Sequence, residues 1–310
     1  MVRPPYVITP LAGIREAVPG HCEVTYNDGK SVDRAVHAAR GADAAIIVVG
    51  YTHKEEGEYI FLKGGDRDAL TLKPHDERLV LRIAAENPRT VVVLVCGSAV
   101  ITEAWRQKVP AILVAWYPGM EGGNALADVL FGRTNPSGKL PCVFPKSEDQ
   151  LPFFDKRARS IEYGYFHGYR LLDREGHEPA FPFGFGLSYT TCSYRDLQLD
   201  HESIGQEGML RASVEITNTG NLAGEEVVQL YVGCEGSRLH RPVKELKGFE
   251  KVHLAPGEVK RVQFALAASR LAWYDEQARG WHVEPIDYIV YAGPSSRSQE
   301  LLSARFRINA

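Results

Sequence analysis

The chain has 310 residues, 44% of them hydrophobic, which suits about two globular domains at the usual length of roughly 150 residues each. Its 36 basic and 39 acidic residues are interspersed and sum to a formal charge of -3, so we expect neither nucleic acid nor a membrane as a partner. No apolar run approaches the roughly 20 residues that span a bilayer, and the N terminus lacks an apolar signal segment, which leaves localisation unknown and cytoplasmic by default.

Cysteine usage argues against a zinc site and against a disulfide framework, because the cysteines are odd in number, scattered, and never spaced C-x-x-C. They are Cys22, Cys96, Cys142, Cys192 and Cys234. We therefore expect no metal and no cofactor, and we interpret the cysteines as structural.

The first half of the chain alternates strand and helix patterns. Three continuous apolar runs, at 43–49, 90–95 and 111–115, are typical of parallel strands that are covered on both faces. Helical spacing places apolar faces between them at Val32, Ala35, Val36 and Ala39, at Leu79, Ile83 and Ala84, and around Trp105. This alternation predicts an α/β fold, a three-layer α/β/α open sandwich over residues 1–150.

Ligands of open parallel sheets bind beyond the carboxyl ends of the strands, which here means the loops after Val49, Val95 and Ala115. The first of these loops carries Glu55, Glu56 and Glu58. Carboxyl groups so close together repel one another, which favours the protonated form of a buried member, as a general acid requires. The alternative is a solvated acidic loop tip without function.

The loop after the third strand run opens the segment AWYPGMEGGNALADVLFGRTNPSGKLPCVFP at 115–145. Its glycines allow close approach of backbone or ligand, and apolar spacing predicts a helix over 122–131. The sequence Asn135-Pro136-Ser137-Gly138 ends that helix.

The second half of the chain changes character twice. Residues 151–190 form an aromatic-rich connector that is too apolar to be a flexible linker. From residue 191 to residue 310 apolar residues alternate with polar ones, and turn signals at 218–221 and 255–258 separate the runs, which predicts a β-sandwich.

Three segments together, 115–145, HKEEGEYIFLKGGDRDALTL at 53–72 and FPFGFGLSYT at 181–190, resemble glycoside hydrolase family 3, the β-glucosidase family. The resemblance implies the family's C-terminal α/β sandwich domain followed by a fibronectin type III-like domain. It also implies a preceding (β/α)8 barrel with a nucleophilic aspartate, whose S-D-W type motif does not occur in this chain. Residues 2–18 resemble the region just after the first strand of the sandwich domain, so we expect that strand to be missing as well.

The resemblance also implies the site. The family's general acid/base is the glutamate before glycine in an E-G…D-R block, which falls on Glu56-Gly57 and Asp66-Arg67. Glu58 is the second candidate because the spacing within this block varies. Asp66 and Arg67 are expected to form an ion pair that shapes the loop.

Three further residues are candidates for substrate binding. Glu121 either contacts sugar hydroxyls or caps the helix over 122–131, and Trp116 and Tyr117 either line a subsite or pack under the loop.

The resulting hypothesis is the C-terminal portion of a retaining β-glycosidase that is β-glucosidase-like and hydrolyses terminal, non-reducing β-linked sugars. Its partners would be such an oligosaccharide or β-glucoside and a barrel carrying the nucleophilic aspartate, and the chain alone is expected to be inactive. The alternative is a non-catalytic carbohydrate-binding or accessory module.

Overall fold

The computed structural model describes residues 4–56, 67–155 and 158–310. The chain divides into two compact units. The α/β unit comprises Met1–Thr134 with Phe144–Glu148, and the β-sandwich unit comprises Asn135–Val143 with Asp149–Ala310. The domain boundaries near residues 150 and 190 stay predictions.

The α/β unit is built on a three-stranded parallel sheet in the order β1-β2-β3. Its strands are β1 (Ala45–Gly50), β2 (Thr90–Val95) and β3 (Ala111–Val114), and its helices are α1 (Pro10–Ala17), α2 (Val32–Arg40), α3 (His53–Glu56), α4 (Pro74–Glu86) and α5 (Gly122–Leu130). The three strand runs therefore lie where the sequence predicts them, and so do the helices α2, α4 and α5.

Strand β2 shows that the sheet is covered on both faces. Val92, Val93 and Leu94 point alternately to opposite faces, and all three are fully buried. Helix α2 buries Ala35, Val36 and Ala39, and α4 buries Leu79, Val80 and Ile83. The predicted three-layer α/β/α fold is confirmed.

The helix expected around Trp105 is wrong. Trp105 is fully buried but precedes a single 3-10 turn, Arg106–Lys108. Pro110 disfavours the α conformation at Val109, which is extended with φ at -119° and ψ at 137°, so the turn ends there, just before β3.

Gly13 of α1 and the signature glycine Gly123 of α5 allow these two helices to pack closely. A Cβ at Gly13 in α1 would overlap the backbone of Gly123 in α5, and a Cβ at Gly123 would overlap the backbone of Thr9. The contact is fastened by two backbone hydrogen bonds, Ile8 N to Met120 O at 2.8 Å and Gly123 N to Ile8 O at 3.1 Å.

The β-sandwich unit contains one helix, α6 (Tyr169–Glu175), and ten strands within its described residues. These are β4 (Cys192–Leu199), β5 (Ser203–Ile204), β6 (Met209–Asn218), β7 (Gly224–Glu235), β8 (Glu245–Leu254), β9 (Val259–Ala267), β10 (Trp273–Asp275), β11 (Gly280–His282), β12 (Asp287–Gly293) and β13 (Leu302–Ile308). One sheet has the order β5-β13-β12-β7-β8, the other β4-β6-β9, and β10 and β11 form a hairpin. This is the expected fibronectin type III-like sandwich.

The core of the sandwich follows the predicted alternation of apolar and polar residues. The inward positions of β6, β7, β9, β12 and β13 form one buried apolar cluster that includes Leu210, Val214, Val228, Leu230, Val290 and Phe306. Alternate side chains of each strand therefore point between the sheets, as period two requires.

The aromatic-rich connector contributes packing to the sandwich unit. Tyr169 of α6 stacks on Phe183 at 5.0 Å between ring centroids and meets Tyr231 edge to face at 5.9 Å. Lys244, only 1% exposed, donates to Asp173 of α6 at 2.7 Å and to Ser298 Oγ at 3.0 Å. These contacts fix α6 on the sandwich.

Part of the long signature segment also belongs to this unit. Asn135 Oδ1 accepts from Ser188 Oγ at 2.7 Å and from Tyr189 N at 2.8 Å. Leu140 N donates to Phe185 O and Gly184 N donates to Leu140 O, both at 2.8 Å. The segments 135–141 and 181–190 are therefore partners in a structural junction.

The five cysteines, all within the described residues, form no disulfide. Within the described residues no helix combines the length and the apolar character that crossing a membrane requires.

Candidate active site

The candidate site lies where the three parallel strands of the α/β unit end. Tyr51 directly follows β1, Gly97 lies two residues after the end of β2, and Tyr117 lies three residues after the end of β3. Because the strands run in the same direction, these loops meet at one edge of the sheet, where open α/β sheets bind ligands.

Glu56 is the centre of this cluster. It is the last residue of α3, which begins three residues after β1, and its side chain is 9% exposed. Its Oε2 accepts a hydrogen bond from Gly97 N at 2.6 Å and another from the Tyr117 hydroxyl. Its Oε1 lies 3.1 Å from Arg67 Nε. Oε2 therefore accepts two hydrogen bonds from other loops, whereas Oε1 is buried, lies in the ion pair with Arg67 and has no hydrogen bond among the described residues.

Arg67 pairs with Glu56. The Arg67 side chain is 6% exposed, donates to Ser98 Oγ and to Ala99 O (2.8 Å), and lies 4.6 Å above the centroid of the Tyr51 ring. Its Nη1 is buried and has no hydrogen-bond partner among the described residues. Asp66, its expected partner, lies outside the described residues, as does Glu58.

Tyr117 is the exposed aromatic residue of the cluster, with half of its surface accessible. Burial of the phenol, followed by its hydrogen bond to Glu56 and the charge of Glu56, raises the pKa of Tyr117 above the ordinary value. Tyr117 therefore stays a hydrogen-bond donor over the physiological pH range.

Gly97 allows these groups to meet. A Cβ at Gly97 would come within 3.0 Å of both Glu56 Oε2 and Tyr117 Cε2. A residue with a side chain would thus press on both partners of the Tyr117 to Glu56 hydrogen bond.

Glu55 has different partners from its neighbour. It accepts from Lys73 Nζ at 2.6 Å, from Thr52 Oγ1 at 2.6 Å and from Thr52 N at 2.9 Å. The bond from Lys73, with those from Thr52, lowers the pKa of Glu55 to about 2. Glu55 is therefore a fixed anion and a poor proton donor near neutrality.

Trp116 and Glu121 make contacts outside this cluster. Trp116 has a left-handed backbone, with φ at 53°, and its ring meets Phe144 edge to face at 6.2 Å. Glu121 occupies the N-cap position of α5, yet its side chain accepts no hydrogen bond from the helix backbone. The side-chain cap is thus wrong: Glu121 accepts from Tyr6 Oη at 2.6 Å and from Asn124 Nδ2 at 2.7 Å.

The structure brings together three of the residues expected from the sequence, namely Glu56, Arg67 and Tyr117. It adds Tyr51, Gly97 and Ser98. The position of Cys96-Gly97-Ser98 directly after a buried strand was the signal that could have revealed the last two.

Two known protein families match the sequence of this chain. Residues 1–189 match the glycosyl hydrolase family 3 C-terminal domain, and residues 226–296 match a fibronectin type III-like domain. The chain belongs to glycoside hydrolase family 3.

Relatives within family 3 are longer than this chain. It is 40% identical to the thermostable beta-glucosidase B of Acetivibrio thermocellus over 292 residues, which is 92% of this chain and 38% of that protein. It is 38% identical to a beta-xylosidase of Formosa agariphila over 307 residues, 96% of this chain and 41% of that protein. The chain thus spans about two fifths of the length of these relatives.

Solved family 3 structures show the same fold. The beta-D-glucoside glucohydrolase from Trichoderma reesei superposes with a TM-score of 0.89 at 29% identity, covering 98% of this chain and 45% of the other. A Bifidobacterium adolescentis GH3 beta-glucosidase superposes with a TM-score of 0.84 at 31% identity, covering 99% and 46%.

Proposed function

We propose that this chain is the C-terminal part of a retaining β-glycosidase and supplies the general acid/base of its active site. The observation that carries the proposal is Glu56, a nearly buried carboxylate at the carboxyl edge of a parallel sheet, within the family's E-G…D-R block. Its substrates would be terminal, non-reducing β-linked sugars, since the relatives are named beta-glucosidase and beta-xylosidase.

A retaining mechanism requires two carboxyl groups about 5–5.5 Å apart, one as nucleophile and one as acid and then base. We assign the second role to this chain and the first to an aspartate of a (β/α)8 barrel. The general acid first protonates the departing oxygen, and the resulting carboxylate then removes a proton from the water that attacks the glycosyl-enzyme.

Glu56 and Glu58 remain the two candidates for this role. In favour of Glu56 are the family motif and its place at the sheet edge. Against it stands the placement of its oxygens, because proton donation requires one oxygen to face the leaving group. Oε2 already accepts two hydrogen bonds, and Oε1, which has no hydrogen bond among the described residues, is buried and faces Arg67.

Substrate contacts are proposed for Tyr117, Trp116 and Glu121. Tyr117 carries the stronger case, since its half-exposed ring adjoins Glu56 and offers an apolar face with a polar tip, which suits a sugar. Trp116 and Glu121 are proposed from their position in the same loop.

The test compares this chain alone with a protein that joins it to a family 3 barrel. The joined protein should release nitrophenol from aryl β-glucosides, and the chain alone should do so no faster than buffer, because proton donation without the nucleophile omits the covalent step. Hydrolysis by the isolated chain that survives repurification and is lost on heat denaturation would contradict the assignment of the nucleophile to the barrel.

A second candidate function, carbohydrate binding without catalysis, is favoured by one observation. Trp281 of the β10–β11 hairpin is 73% exposed and meets the exposed Tyr274 edge to face at 5.5 Å between ring centroids. Tyr231 of the same unit is fully buried and takes no part. Calorimetric titration with β-linked glucose oligosaccharides should then show binding that Trp281→Ala abolishes and Phe249→Ala preserves.

A further inference from the structure

We infer that Tyr117 is a positioning residue that holds the carboxylate of Glu56 through its phenolic hydroxyl. The inference deepens the proposed function and rests on it for its catalytic consequence. The contact itself rests only on the geometry at the edge of the α/β sheet.

The donors to Glu56 differ in how firmly they are held. Gly97 N belongs to the backbone that follows the central strand β2, and Arg67 is buried and tied to Ser98 and Ala99. Tyr117 lies on the loop after the short edge strand β3, and half of its surface is exposed. The positions of Gly97 and Arg67 are therefore fixed by the fold. Tyr117 contacts the carboxylate of Glu56 from the solvent side.

The direction of the hydrogen bond follows from chemistry. A carboxylate only accepts hydrogen bonds, so the Tyr117 hydroxyl donates a hydrogen bond to Oε2, the oxygen that also accepts one from Gly97 N. The bond fixes the rotation of the carboxyl group, and its loss leaves that group free to turn. The absence of side-chain atoms at Gly97 keeps the space for the bond open.

Nitration of this chain by tetranitromethane tests the contact, because the reagent attacks the phenolate. Tyr117 should be nitrated more slowly than Tyr26, which is 60% exposed. In Glu56→Gln the rate at Tyr117 should rise about tenfold for each unit by which its pKa falls, while the rate at Tyr26 stays unchanged. Peptide mass spectrometry measures both rates.

Gly97→Ala is the second variant and leaves both side chains in place. Its methyl group should push Tyr117 from Glu56, so the nitration rate of Tyr117 should again rise relative to Tyr26. Equal rates at Tyr117 and Tyr26 in the wild-type chain, or an unchanged rate at Tyr117 in both variants, would overturn the contact.

The catalytic consequence is tested in the protein that joins this chain to a barrel. Tyr117→Phe should lower kcat for substrates with poor leaving groups by about tenfold or more, as loss of a positioned proton donor does, with little change for activated aryl glycosides. A uniform rise in KM with kcat unchanged would instead make Tyr117 only a binding residue. The nitration result stands whether or not Glu56 proves to be the acid/base, so the two proposals fail separately.

Discussion

Adjacent glutamates in this chain have unrelated environments. Glu55 is bound by Lys73 and Thr52, whereas Glu56 turns to the sheet edge and meets Arg67, Gly97 and Tyr117. The sequence predicts an acidic loop beyond β1, and it cannot predict these partners, because they come from residues up to 61 positions away. Arg67 shows the same limit: its ion pair with Glu56 was not predicted, and its expected pair with Asp66, which lies outside the described residues, stays a prediction.

The ion pair of Glu55 predicts a pH-dependent contribution to stability. Its pKa of about 2 in the folded chain lies below the ordinary 4.5, so ionised Glu55 stabilises the fold above pH 4.5. This contribution is lost as the pH falls from 4.5 towards 2. Glu55→Gln should therefore lower the free energy of unfolding at pH 7, and the difference from wild type should shrink by pH 3.

Urea unfolding of this chain at pH 7, 5.5 and 3 measures that difference. Asp33→Asn is the matched control, because Asp33 is almost fully exposed in its pair with Arg82. The control should show no such pH dependence. An equal loss of stability for Glu55→Gln at pH 7 and pH 3 would mean that the charge of Glu55 contributes nothing.

At the scale of elements, the packing of α1 on α5 depends on Gly123. A methyl group there would overlap the backbone of Thr9, and backbone cannot move aside as a side chain can. Gly123→Ala should destabilise the α/β unit by about 1–3 kcal/mol or more. Gly41→Ala is the control: Gly41 has φ at -91° and open space around it, so alanine should be neutral or slightly stabilising.

Chemical denaturation followed by circular dichroism measures both variants. If Gly123→Ala and Gly41→Ala have the same midpoint, the signature glycine is not required for this contact, and its role would have to be sought in ligand approach.

The attachment of α6 to the sandwich depends on buried Lys244. Lys244→Ala leaves the carboxylate of Asp173 without its cation, and burial already raises the pKa of Asp173. The loss in unfolding free energy should be about 3–5 kcal/mol. Lys251→Ala, which removes an exposed pair with Glu225, should cost about 0–1 kcal/mol. Equal losses in urea denaturation would contradict the structural role of Lys244.

Secondary structure was predictable wherever periodicity and core position agree. Strands β1, β2 and β3 read as continuous apolar runs because both sheet faces are covered, and the sandwich strands read as alternating because one face is solvated. Prediction failed at Trp105, where helical spacing suggested a helix, because Val109 is extended before Pro110 and the segment forms a single 3-10 turn. The predicted cap by Glu121 was also wrong, because the Glu121 side chain accepts a hydrogen bond from Asn124 Nδ2 and none from the helix backbone.

At the scale of the whole molecule, the family signature divides between two tasks. Its glycines at 122–123 pack helices and close on Pro118 in the α/β unit, while Asn135 and Leu140 join the sandwich unit. The residues proposed for the acid/base site all lie in the α/β unit. Most of the signature segment therefore stabilises the fold, and within it Trp116, Tyr117 and Glu121 are the candidates for the site.

The central claim is that the loop beginning at α3 supplies the general acid/base, and azide rescue tests it most directly. In a protein that joins this chain to a barrel, Glu56→Ala should slow substrates with poor leaving groups severely and spare the first step for activated aryl glycosides. Added azide should restore turnover and form the glycosyl azide, because a small anion attacks the glycosyl-enzyme without general-base assistance. Glu55→Ala should be mild in the same assay. Rescue of Glu58→Ala with Glu56→Ala near wild type would move the role to Glu58, and no rescue in either variant would contradict the assignment to this loop altogether.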